Sequence, residues 1–178
     1  MEKKRILLTG FEPFSGLDIN ESSEVVKLIL NAGLQDIEII PSILSVDEEG
    51  TESSLDILKA MEFDAVIHLG LSRDSGKILL ERFATNMISM ELPDNSGRVV
   101  KGSKILENAP ERIETTVSIH NFDEEFEQDK DVQWSHSAGS YVCNETYFKT
   151  LSGLSNSTIP VLFILSLIHI SEPTRLIT

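Results

Sequence analysis

The only cysteine of the chain, Cys143, lies in Ser135-His136-Ser137-Ala138-Gly139-Ser140-Tyr141-Val142-Cys143-Asn144. The stretch reads as a strand end, a tight turn and a helix start. Val132-Gln133-Trp134 is strand-like, Ser-Ala-Gly interrupts it, and Asn144 to Leu151 can continue as helix. A thiol in the first turn of a helix faces unpaired N–H groups and the positive end of the dipole, and both favour the thiolate that attacks carbonyls. The same spacing also suits a buried, inert cysteine acting as a small hydrophobe. Glu81 is the second group of interest, a polar interruption in the extended stretch Lys77 to Ile88. A carboxylate buried there without a partner is costly, so one is expected; Arg82 or a nearby lysine is the plain structural answer. Phe11 and Phe14 flank Pro13 just after an apolar run, either as core residues beside a turn or as walls of a pocket.

The elements that must position these residues alternate between strand and helix. Arg5 to Thr9 is a buried first strand, and Asn20 caps a helix carrying Val25, Val26, Leu28 and Ile29 that stops at Gly33. Ile37 to Val46 is extended but contains Pro41, which belongs at an edge or bulge. Asp47-Glu48-Glu49 suits a loop or a first helical turn, ahead of a helix with Leu55, Leu58 and Met61 inward. Ala65 to Gly70 is another buried strand, in which His68 reads as a hydrogen-bonded core histidine rather than a ligand. Asn108-Ala-Pro110 can open a helix towards His120, the acidic stretch Asn121 to Asp131 is a solvated face, and Ser152 to Ser157 is a loop. Ile159 to Ile164 begins a last strand. This alternation predicts an α/β fold, a three-layer α/β/α sandwich around a mostly parallel, mixed sheet.

At 178 residues the chain is long enough for one domain with a sizeable core. The net charge of −14 argues against nucleic acid or an anionic membrane surface as partner. One cysteine rules out an internal disulfide and fits a reducing, cytoplasmic setting, and the apolar run after Met1-Glu-Lys-Lys-Arg5 is too short for a signal peptide. His120 and His136 lack partners at metal-ligand spacing, and no nucleotide-binding glycine motif is present, so neither a metal nor a cofactor is expected.

The motifs resemble those of the pyroglutamyl peptidase I family, cysteine peptidases that remove an N-terminal pyroglutamate. The stretch ending in Cys143-Asn144 looks like the family's nucleophile motif, and Thr9-Gly-Phe-Glu-Pro-Phe-Ser-Gly16 its aromatic loop. Leu80-Glu-Arg-Phe-Ala-Thr-Asn86 is similar to the segment bearing its catalytic glutamate, and Leu92-Pro-Asp-Asn-Ser-Gly97 to the family's I-P-D-N-x-G turn. Ser15 stands where the family usually has glycine, and Glu21 where it usually has proline. The resemblance implies Cys143 as nucleophile, Glu81 as orienter of a histidine base, and Phe11 and Phe14 as walls for the flat lactam. It also implies an α/β/α fold, homo-oligomers, and peptides with N-terminal pyroglutamate as substrates.

The end of the chain departs from the resemblance. The family's last strand carries its histidine directly after a pair matched by Phe163-Ile164, yet residue 165 is leucine. Leu165 to Arg175 coincides with the in-frame translation of a common transposase sequencing adapter. Residues 1–164 are therefore expected to be an incomplete pyroglutamyl-peptidase-like domain and 165–178 an adapter-derived tail, with a C-terminal helix missing and Val161 and Phe163 left exposed. His169 shares the parity of residue 165 but lies about 13 Å farther along a strand, beyond hydrogen-bond reach unless the register slips. The expected consequence is an impaired peptidase; the alternative is a non-catalytic or vestigial binding domain.

Overall fold

A computed structural model describes residues 3–72 and 76–166. In chain order the elements are β1 (Lys4–Phe11), α1 (Glu21–Ala32), β2 (Ile37–Leu44), α2 (Glu48–Ala60), β3 (Ala65–Leu71), β4 (Ile78–Glu81), β5 (Phe83–Thr85), β6 (Arg112–Glu114), α3 (Ile119–Phe126), β7 (Val132–Ser135), α4 (Val142–Gly153) and β8 (Val161–Ser166). Six strands form one sheet in the order β2-β1-β3-β8-β4-β7, and β5 and β6 form a separate antiparallel pair. All neighbours in the large sheet are parallel except β4 and β8, so the expected mixed, mostly parallel sheet is what forms. Pro41 sits in β2, which pairs only with β1, so its missing N–H breaks no ladder between two neighbours.

Alternation along the strands divides the core in two. Leu7, Val66, Val161 and Phe163 face α4, where Tyr147, Phe148 and Leu151 meet them. Leu8, Ile67, Leu69 and Ile164 face the other way, towards Val26 and Ile29 of α1. Val161 and Phe163 are therefore not exposed; both are 0% accessible under α4. Ile164 and Ser166 of the last strand are only partly buried, whereas Leu162 is buried. A largely apolar groove between α1 and α3 is lined by Leu69, Leu80, Val132 and Ile164.

Several local expectations meet tertiary corrections. Asn20 caps α1 by accepting from the Ser22 amide, and Asp47 caps α2 by accepting from that of Gly50, so the acidic Asp47-Glu48-Glu49 is a helix start. Met61 lies outside α2 and is 39% exposed, because the buried face of α2 is the small-residue row Gly50, Thr51 and Ser54. The stretch after Pro110 becomes β6 rather than helix. Its Ile113 pairs with Ala84, and the Thr115 hydroxyl donates to the Val161 carbonyl, so pairing overrides local helix propensity. Lys77 to Ile88 is not one strand either, since it breaks at Arg82 between β4 and β5. His68 is a core histidine as expected. Thr150 gives its hydroxyl proton to the Thr146 carbonyl, so it accepts from Nε2–H of His68 at 3.1 Å, which leaves Nδ1 to accept from Thr9 at 2.7 Å. Burial holds this imidazole neutral, with its pKa pushed down to about 3.

Candidate active site

α4 begins where Gly139, at a φ of 79°, turns the chain out of β7 in the left-handed region that favours glycine. Tyr141 is the N-cap and among the described residues no side chain caps the helix, which leaves its first amides to a ligand or water. Cys143 follows in the first turn, on the wall of a cavity of about 300 Å³. Phe11, Phe14, Tyr141, Leu79 and Leu165 line the same cavity. Gly10 brings the aromatic loop close to α1, since a Cβ there would meet the Ser22 carbonyl oxygen at 2.8 Å. The rings of Phe14 and Tyr141 lie 6.0 Å apart, and those of Phe11 and Phe163 6.3 Å apart.

The turn at residues 92–98 clamps these walls together. Asn95 donates to the Pro13 carbonyl at 3.0 Å, and the Tyr141 hydroxyl donates to the Pro93 carbonyl at 3.1 Å. Arg98 bridges Asp94 at 2.9 Å and Glu145 of α4 at 2.7 Å. Burial draws the Asp94 carboxyl upward, but hydrogen bonds from Ser96 and Arg98 outweigh it and hold its pKa below the ordinary value. Asn144 completes the clamp, donating to the carbonyls of Thr85 and Met87 and accepting from the Thr85 amide. The Thr9–Gly16 and Leu92–Gly97 stretches are thus a wall and the brace that holds it to α4.

Glu81 ends β4 with its side chain fully buried, and neither carboxylate oxygen has a hydrogen-bond partner among the described residues. The expected pair with Arg82 does not form, because Arg82 turns outward to Glu114 at 2.7 Å. Burial raises the Glu81 pKa to about 7; the Ser135 hydroxyl and Ser137 amide oppose that rise without closing a bond of good geometry. Glu81 is close enough to Cys143 for its charge to act on the thiol. Burial first, and then that charge, push the thiol pKa up to about 12, against a smaller lowering by a backbone N–H. Part of the Cys143 surface still opens to the cavity.

Position 165 faces this cavity too. Leu165 pairs with Leu79 and is 8% exposed, and the next pair on the same face of β8 and β4 is Phe163 with Glu81. Residue 165 is therefore diagonal to Glu81 and shares a cavity with Cys143. His136 stacks on Phe83 at 5.8 Å, and His120 pairs with Glu124 one turn on at 3.4 Å, a partner its sequence neighbourhood did have. His169 lies outside the described residues. Among the described residues no group of three or more His, Cys, Asp or Glu side chains is arranged to hold a metal, and no helix is long and apolar enough to cross a membrane. Sequence reasoning missed Tyr141, Leu79 and Arg98; only Tyr141 had a sequence signal, as an aromatic within the cysteine motif.

The sequence profile of the pyroglutamyl peptidase family matches residues 4–176. The pyrrolidone-carboxylate peptidase of Coprothermobacter proteolyticus is 27% identical over 96% of this chain and 87% of its own length. That of Thermococcus kodakarensis is 34% identical over 83% of this chain and 72% of its own. The crystal structure of the pyrrolidone carboxyl peptidase of Fervidobacterium islandicum superposes with a TM-score of 0.84 at 34% identity, over 92% of this chain and 80% of that one. A cysteine at a helix start, an aromatic cavity and a neighbouring buried carboxylate accompany a match along almost the whole chain, and the chain belongs to the pyroglutamyl peptidase family of cysteine peptidases.

Proposed function

We propose that this chain is built to release N-terminal pyroglutamate from peptides, with Cys143 as nucleophile and Phe11 and Phe14 against the lactam. The observation that carries the reading is that Cys143 opens onto the same aromatic cavity as both phenylalanines, with the buried, unpartnered Glu81 close by. A small neutral ring offers flat faces and an amide, which suits apolar walls with a few backbone groups. Cys143 Sγ attacks the carbonyl that joins pyroglutamate to the next residue, and amides at the start of α4 receive the oxyanion. The imidazole base that takes the thiol proton returns it to the leaving amine as the amide C–N bond breaks, and water hydrolyses the thioester. Glu81 serves by orienting an imidazole between itself and the thiol. No cofactor enters, and a homo-oligomer is the expected assembly.

Leu165 favours a second reading, binding without efficient turnover. A leucine holds the position from which an imidazole would reach both Glu81 and Cys143, and a thiol with a raised pKa is almost wholly protonated near neutrality. We take residues 165–178 as foreign to the 1–164 domain. The family match runs on to residue 176 and β8 to Ser166, so the codons past Ile164 are the direct check. Turnover of a pyroglutamyl-coumarin substrate is the functional one. The 178-residue chain is expected near background, and Leu165→His to raise its rate by about 10³-fold or more, a gain that Cys143→Ala removes. A folded Leu165→His variant that neither turns over nor binds pyroglutamyl peptides would refute the site. Strong turnover by the parent, lost on His169→Ala, would make His169 the base.

A further inference from the structure

Cys143 and Glu81 are carried by different elements, and their chemistry depends on how those elements are held. Tyr147 lies one helical turn after Cys143 on α4 and is fully buried. Its hydroxyl donates to the backbone carbonyl of Glu81 at 2.9 Å. Its ring meets Phe163 at 5.6 Å, the residue paired with Glu81 across β4 and β8. The neighbouring Thr115 hydroxyl commits its proton to the Val161 carbonyl. The carboxylate has no partner of its own among the described residues, so residue 81 is held by its main chain rather than its charged end.

We propose that Tyr147 is a positioning residue: its hydroxyl pins the main chain of Glu81 to the helix that carries Cys143, and so sets the carboxylate-to-thiol spacing. Asn144 grips the far end of the same segment at Thr85 and Met87, so a single turn of α4 holds both ends of residues 81–87. The inference rests on the proposed pairing of Cys143 with Glu81, though not on turnover or on lactam binding. Among the described residues the ionisable groups around the pair are Glu81 from β4 and Tyr141 and Tyr147 from the α4 segment, with Asp94 and Arg98 behind Tyr141. From β8 only Leu165 and Phe163 face it, and His68 of β3 lies beyond Phe163.

Alkylation of Cys143 in the full chain reads the spacing without requiring catalysis. Well below the thiol midpoint the rate follows the thiolate fraction, so a midpoint lower by one unit means about tenfold faster labelling. At pH 8.5, where Glu81 is charged, Glu81→Gln is expected to label about tenfold faster than the parent. Tyr147→Phe is expected to label about threefold faster, as the loosened carboxylate acts less on the thiol. Two controls separate this from a merely looser fold. The Tyr147→Phe effect should vanish at pH 5.5, where Glu81 is neutral, and in the Glu81→Gln background at either pH. Site-specific 3-fluorotyrosine at 147 keeps the packing and strengthens the donor, so it should label more slowly than the parent; an equal or faster rate overturns the proposal even if Tyr147→Phe fails to fold. A Tyr147→Phe effect that persists in Glu81→Gln overturns it too. A Glu81→Gln rate equal to the parent's overturns both this inference and the underlying pairing, whereas a failure to bind pyroglutamyl peptides, with the coupling intact, overturns the functional reading alone.

Discussion

Replacing Glu81 by glutamine should stabilise the fold progressively as pH rises. The Glu81 carboxyl titrates near 7 in the folded chain, against an ordinary value of 4.5, chiefly because burial penalises its charge. Between these values the folded chain holds a proton that the unfolded chain has released. Stability therefore falls as pH rises through that window and levels off above 7. Each unit of separation is worth about 1.4 kcal/mol, so the group costs roughly 3 kcal/mol at pH 8 relative to pH 4. Glutamine is close in shape to the neutral acid and does not titrate. The stability difference between Glu81→Gln and the parent should then grow by about 3 kcal/mol in favour of glutamine from pH 4.5 to 8. Urea denaturation of both proteins at five pH values measures it, and contributions from other groups, His68 included, cancel in the difference. A difference independent of pH, or one that favours glutamate at pH 8, would refute an unpartnered carboxylate. It would mean that solvent or a cation compensates the charge.

Phe14→Ala should remove one wall of the cavity without touching the thiol; in a Leu165→His background it should raise KM by an amount worth about 1–3 kcal/mol, and unchanged KM and kcat would reject the pocket role. Ser15 holds a φ of 54°, a left-handed conformation that glycine adopts without a Cβ penalty, so Ser15→Gly should raise stability by up to about 1 kcal/mol; a lower denaturation midpoint would show that the Ser15 side chain makes a compensating contact. His68→Leu leaves Thr9 and Thr150 without their buried partner and should cost about 2–4 kcal/mol, and a neutral result in a thermal melt would contradict the relay. Because burial lowers the His68 pKa to about 3 from 6.5, the parent should lose stability as pH falls below 6.5 while His68→Leu loses less.

Much of this protein is local enough to be read from residue order. The cap at Asn20, the stop at Gly33, the turn before Cys143 and the buried run Ala65 to Gly70 depend on neighbours a few residues away. The candidate site residues Cys143, Glu81, Phe11 and Phe14 were legible because each sits in a short motif. What sequence could not supply were pairings between distant segments. The stretch after Pro110 has helix-compatible residues, yet it becomes a strand because Ile113 finds Ala84, and Arg82 pairs with Glu114 of that strand rather than with Glu81. Which face of the last strand is open depended on where α4 lands: Phe163 went under the helix and Ile164 to the open side. Burial is likewise a property of the assembled chain. Sequence alone singled out Glu81 and Cys143 as candidates for the chemistry and placed leucine at 165. Only the tertiary structure, by closing β4, β8 and α4 around them, decided that the carboxylate has no partner among the described residues, that the thiol pKa is raised, and that residue 165 lies diagonal to Glu81 on the cavity of Cys143.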